Sequence, residues 1–282
     1  MSKAMGDCFF PSSVEEAVQI LARQPCTILS GGTDLYAATA RRSLGGPLLD
    51  VTRIAGMRLI ETGPEGVRIG AAVTWAEIAR DGGLGAPFEA LRQAAREVGG
   101  RQVQEAGTVA GNLCNASPAA DGVPPLLVLD AEVELCGPRG PRAVPLAAFI
   151  EGPRRTARAP DEIVTAIRIP GAALEGRSSF LKLGARRHLV ISIAMVAVRA
   201  VVENGRIAEA ALAVGACSPA ARRLPRIEAA LAGLPVADAA RAITDAEVRA
   251  ALSPIDDMRA TADYRSVAAA ELLRRALAEV AA

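Results

Sequence analysis

Hydrophobic and polar positions along the 282-residue chain switch between helical and strand periods, and each switch marks an element. Residues 13–23 place Val14, Val18 and Leu21 on one helical face, with Ser12 or Ser13 as N-cap and Glu15 and Glu16 at the positive end. The apolar run CTIL (26–29) predicts a short strand that runs straight into Ser30-Gly31-Gly32-Thr33. Strands are predicted again over 47–54 and 66–74. Thr74 then reads as the cap of a helix carrying Trp75, Ile78 and Ala79, with Glu77 at its third position. Residues 87–99 predict another helix, stopped by Gly99-Gly100. Strands follow over 131–137 and 162–170, on either side of a Pro- and Arg-rich segment (138–160) without a clear period. The stretch from Gly171 to Gly176 marks a boundary. Beyond it, 178–184, 194–202 and 207–216 read as strands, the last two joined by a Glu203-Asn204-Gly205 hairpin turn. Helices near 223–233 and 263–281 finish the chain. Strands are grouped rather than alternating strictly with helices, which predicts an α+β fold in two parts. At ~150 residues per domain, the length agrees.

Composition adds a constraint on packing. Hydrophobic residues make up 51% and aromatics 3%, with a mean hydropathy of +0.25, so the core is built mainly of Ala, Val, Leu and Ile. Lys and Arg total 32 against 31 acidic residues, a net charge of +1 that gives no support to a nucleic-acid or anionic-membrane partner. No window reaches ~18 uninterrupted apolar residues, and the opening MSKAMGDCFFPSS lacks the apolar stretch of a signal peptide, so no membrane span and a cytoplasmic location are expected. The five cysteines, at 8, 26, 114, 136 and 217, are odd in number, widely spaced and without C-x-x-C. Neither an iron–sulfur cluster nor structural zinc is expected on this chain, nor are disulfides. The single histidine, His188, argues against a multi-histidine metal site and a conventional catalytic triad. No residue is assigned a catalytic or metal-binding role.

Two stretches carry candidate chemistry. In Ile28–Tyr36 (Ile28, Leu29, Ser30, Gly31, Gly32, Thr33, Asp34, Leu35, Tyr36), an apolar strand ends in two glycines. They permit φ > 0 and close approach of a phosphate to main-chain N–H groups. Thr33 adds a hydroxyl, whereas Asp34 repels phosphate and is expected to cap the next turn. The pattern is neither G-x-G-x-x-G nor a P-loop. In 107–122 (GTVAGNLCNASPAADG), small residues alternate with Thr108, Asn112, Asn115, Ser117 and Asp121, and Ser117-Pro118 reads as the N-cap and first residue of a helix. Each stretch taken alone also fits an ordinary turn or packed loop. Together, two such loops fit a dinucleotide better than a mononucleotide.

SGGTDL (30–35), TVAGNLCNASPAAD (108–121), EIVTAIRIP (162–170) and FLKLGARR (180–187) carry a further signal, together with 215–233 and 263–277. In these segments the chain resembles the FAD-binding (medium) subunit of molybdenum hydroxylases, relatives of xanthine dehydrogenase and carbon monoxide dehydrogenase, over nearly its whole length. The resemblance implies a vanillyl-alcohol-oxidase-type (PCMH-type) FAD domain over 1–172, with α+β subdomains of about 1–55 and 56–172. A smaller C-terminal domain like that of CO dehydrogenase flavoproteins would cover 173–282. It implies that Ile28–Tyr36 embraces the FAD pyrophosphate and that Thr108, Val109, Ala110, Gly111 and Asn112 form a second phosphate loop. Ser117 and Asp121 would bind the cofactor, Asp121 through flavin hydroxyls. Val164 would pack on it, Lys182 would reach it from the second domain, and Val98 and Ile191 would flank the isoalloxazine ring. Lys182 also stands out unaided, because the chain has only two lysines, Lys3 and Lys182; a snorkelling surface lysine is the ordinary alternative.

The implied function is electron transfer: FAD on this chain, with the molybdenum cofactor on a large partner subunit and two 2Fe-2S clusters on a small one, in a heterotrimer or its dimer. NAD-reducing relatives carry an acidic residue just before the position of Ile191. Leu189 and Val190 stand there here, beside His188, which counts against NAD as acceptor. A stand-alone FAD oxidase of the same fold is the alternative, weakened by the scarcity of His and Tyr for acid–base work. A cofactor-free interaction module is a third, at odds with the intact glycine loops.

Overall fold

The computed structural model describes residues 7–39 and 44–282, so Lys3 lies outside the described residues. Cys8–Phe9, Thr27–Leu29 and Leu48–Asp50 form a parallel three-stranded sheet with Leu48–Asp50 in the middle. The helix Val14–Arg23 bridges its two outer strands, capped by Ser13, whose side chain accepts from Glu16 N at 3.1 Å. The strand predicted over 47–54 stops at Asp50, because its carboxylate accepts from both the amide and the hydroxyl of Thr52 and turns the chain.

A five-stranded antiparallel sheet follows, in the order Ile60–Gly63, Gly66–Gly70, Ile163–Pro170, Glu132–Gly137 and Gly140–Pro145. Its central strand is the last in sequence and is buried almost throughout. The Pro- and Arg-rich segment supplies the edge strand, where Pro141 and Pro145 cost no interior ladder bond. It then forms the helix Leu146–Phe149 and a small hairpin, Ile150–Gly152 with Arg155–Thr156. Helix 87–99 is observed as a 3-10 turn, Ala86–Phe88, leading into Glu89–Glu97.

Between residues 101 and 128 the chain forms three short helices, Arg101–Ala106, Val109–Asn115 and Val123–Val128. The expected helix start at Ser117-Pro118 is corrected. Ser117 Oγ accepts from Ala119 N at 3.2 Å and Ser117 O accepts from Ala120 N at 3.0 Å, closing a turn, and the next helix begins only at Val123.

Beyond Gly176 lies a four-stranded sheet in sequence order: Arg177–Leu183, Ala194–Glu203, Arg206–Gly215 and Arg222–Arg223. Asn204 (φ 50°) and Gly205 (φ 72°) form the tight hairpin turn. Both faces of this sheet are buried. Val196, Val198, Leu212 and Val214 pack on the closing helices, chiefly Ala262–Ala281 and Pro225–Leu231. Met195, Ala197, Ala211 and Ala213 pack on the first part of the chain. Helices Val236–Ala242 and Asp245–Ala251 complete this part. Two arginines pin its sheet to the carboxyl end of Val123–Val128: Arg199 Nε donates to Val128 O at 2.9 Å and Arg223 Nη1 to Leu127 O at 2.9 Å. All five cysteines are free, and among the described residues no helix is long and apolar enough to cross a membrane.

Candidate cofactor-binding site

The two glycine loops meet. Thr27–Leu29 delivers Ser30–Gly32 to the short helix Thr33–Ala38, and Thr108 opens the helix Val109–Asn115, its hydroxyl accepting from Gly111 N at 3.1 Å. Gly32 is left-handed (φ 69°). Gly31 is not. It is glycine because a Cβ there would overlap the Ala106 carbonyl, so its smallness lets the two loops touch. Asp34 does not cap the following turn either. Gly32 is the N-cap, and Asp34 Oδ1 accepts from Asn115 Nδ2 at 2.8 Å, tying one loop to the other.

Between the loops lies a cleft of about 560 Å³, within the ~300–1,000 Å³ of small-molecule sites. Of the expected residues it is lined by Ile28, Ser30, Gly31, Gly32, Thr33, Asp34, Leu35, Val98, Thr108, Ala110, Gly111, Asn112 and Val164. The sequence reading missed Met57, Trp75, Arg154, Thr156 and Arg158, which also line it. The arginines carried a trace in the Arg-rich composition of 138–160, but no period assigned them a direction. Cys114 faces the same cleft, and burial pushes its thiol up to about 11, against the nearby Arg158 charge, so it is a poor nucleophile.

The other expected residues lie elsewhere. Leu29 and Val109 are buried in the core, and Tyr36 is exposed. Ser117 and Ile191 line a second cavity of about 1,040 Å³ at the seam with the carboxy-terminal part, so Val98 and Ile191 do not share one cleft. Asp121 and Lys182 find each other: Lys182 Nζ lies 2.6 Å from Asp121 Oδ2, with side chains 8% and 9% exposed. Ser192 Oγ donates to Asp121 Oδ1 at 2.6 Å. Burial pushes the Asp121 carboxyl above its ordinary value, and Lys182 and Ser192 oppose that rise. The snorkelling alternative for Lys182 does not hold. His188 is exposed.

The cleft wall has a dinucleotide's chemistry. Ser30 Oγ and Asn112 Oδ1 are buried with no hydrogen-bond partner, one able to donate to a phosphoryl oxygen and the other to accept from a sugar or ribityl hydroxyl. First-turn amides of Thr33–Ala38 have no acceptor within their helix. The residues present therefore fit FAD. Comparison with known proteins gives the same direction. The FAD binding domain in molybdopterin dehydrogenase matches residues 3–172, and the CO dehydrogenase flavoprotein C-terminal domain matches 179–280. The chain is similar to the xanthine dehydrogenase FAD-binding subunit of Escherichia coli O157:H7, with 28% identity covering 96% of this chain and 94% of that one. It is also similar to the nicotine 6-hydroxylase medium subunit of Paenarthrobacter nicotinovorans, with 30% identity covering 96% of each. Among solved structures, a carbon monoxide dehydrogenase chain from Hydrogenophaga pseudoflava superposes with a TM-score of 0.89 at 28% identity, over 100% of this chain and 98% of that one. The chain belongs to the FAD-binding subunit family of the molybdopterin dehydrogenases, a family of oxidoreductases.

Proposed function

We propose that this chain is the FAD-carrying electron-transfer subunit of a molybdenum-containing hydroxylase, taking electrons from the iron–sulfur clusters of a small partner and passing them to an external acceptor. A large partner would hold the molybdenum cofactor. FAD, when bound, supplies the redox chemistry, and the chain's own residues bind and orient it. The observation that carries this reading is the cleft itself: two joined glycine loops with two orphaned polar atoms, and no His or Tyr among the described residues lining it. Such a wall suits holding a cofactor better than acid–base work on a substrate. Partner docking is supported by the rim of the second cavity, where Leu189, Ile191, Ile255 and Met258 are exposed beside Arg186 and Arg259. We also propose the division into 1–172 and 173–282, and a cytoplasmic location, with which five free cysteines accord.

Denaturing the protein should release flavin identified chromatographically as FAD. FMN, or flavin retained on the polypeptide, would contradict the assignment. Under anaerobic conditions, organic substrates should bleach the flavin in the complex and leave the lone chain yellow. Rapid bleaching of the lone chain would favour the stand-alone oxidase.

A further inference from the structure

We propose that Arg154, seconded by Arg158, is the cationic arm of the cleft and recognises the diphosphate of the bound dinucleotide; this rests on the reading of the cleft as a dinucleotide site. The charged residues among the described lining are Asp34, Arg154 and Arg158. Asp34 is engaged by Asn115. Neither arginine has a carboxylate partner among the described residues, although the adjacent Arg155 pairs with Glu151 at 3.8 Å. Arg158 uses one nitrogen, Nη1, to donate to Ala159 O (3.0 Å) and Glu162 O (2.7 Å), which fixes the side chain and leaves Nε and Nη2 available. Arg154 makes a single long contact, Nη1 to Asn115 O at 3.4 Å.

The backbone at Arg154 points the same way. It sits at φ 60°, a left-handed conformation that a β-carbon disfavours. Arg154 N donates to Ala116 O at 2.9 Å, which fastens the hairpin turn over the end of the helix Val109–Asn115. Glycine would suit this position better by conformation alone. An arginine tolerated at such a cost, facing a cleft with orphaned Ser30 Oγ and Asn112 Oδ1, is the pattern of strain kept for binding. A planar guanidinium offers the paired donors that phosphoryl oxygens accept.

The test uses the full chain freed of cofactor, titrated calorimetrically with FAD, ADP and riboflavin. Arg154→Gly should weaken FAD and ADP by about tenfold or more and leave riboflavin unchanged. Its melting temperature should equal or exceed that of the wild type, because glycine relieves the backbone. Arg155→Gly should bind all three ligands normally. Wild-type affinity for ADP in Arg154→Gly would overturn the proposal. So would an equal loss of riboflavin accompanied by a lower melting temperature, since that marks a structural role. If the wild type binds ADP but no flavin, Arg154 keeps its role and the FAD reading fails. If it binds neither ADP nor FAD, both fall.

Discussion

Gly31, Gly32 and Gly111 look alike in sequence and do different things. Gly32 supplies a left-handed turn, Gly31 lets the first loop lie against the Ala106 carbonyl, and Gly111 leaves room for the Thr108 hydroxyl, 2.8 Å from where a Cβ would stand. Gly31→Ala should therefore lose stability and cofactor together, by roughly 1–3 kcal/mol as in other overpacked sites. Gly111→Ala should cost about 1 kcal/mol through the disturbed cap. Thermal melts paired with flavin content check both, and a Gly31→Ala protein of unchanged stability would refute the packing argument. The glycine loops themselves were legible, because consecutive small residues after an apolar strand restrict what the backbone there can do. What else each glycine must be small for was not legible, since for Gly31 that depends on Ala106, far away in sequence. Arg154 was hidden for a related reason: a left-handed arginine leaves no mark in composition.

Elements with a long apolar period were readable, and so was the six-residue helix Trp75–Arg80 through its Thr74–Glu77 capping box, but short helices with neither signal were not. Val109–Asn115 has Gly111 and Asn112 inside it, and Val123–Val128 begins on Val-Pro-Pro, so neither shows a helical stripe. The sheet strands Ala194–Glu203 and Arg206–Gly215 were found as apolar runs, but two-sided burial erased the alternation that would have revealed their faces. Just after the hairpin, one carboxylate gathers three donors. Glu162 takes Arg142 Nε at 2.7 Å and Nη2 at 2.8 Å, and also Ala159 N at 2.8 Å. Its bonds to Arg142 hold its carboxyl below the usual range. Between that lowered value and ~4.3 the unfolded chain binds more protons than the folded one, so stability rises with pH across this window and is lost as pH falls through it. Glu162→Gln should cost about 1–3 kcal/mol at pH 7 and much less at pH 3. Urea unfolding at the two pH values measures the difference, and a pH-independent cost would assign Glu162 no such role.

Across the molecule, the seam between the two parts combines apolar packing with buried polar contacts. Ser178 Oγ accepts from Ala90 N at 2.8 Å, Gln93 Oε1 accepts from Phe180 N at 2.7 Å, and the Asp121–Lys182–Ser192 group closes the end nearest the second cavity. Removing one member of a buried pair strands the other, so Lys182→Ala should destabilise by ~3–5 kcal/mol. Adding Asp121→Asn to Lys182→Ala should recover much of that loss. Equal stability of the single and double variants in urea would show that the pair is not coupled. The two-sided sheet also has a consequence for biogenesis. Met195, Ala197, Ala211 and Ala213 are shielded by a surface that the ribosome has already delivered, including the helix Val123–Val128. The order of translation thus lets the later sheet emerge beside its waiting cover, and a permuted gene that makes this sheet first would present a sticky face to every other nascent chain.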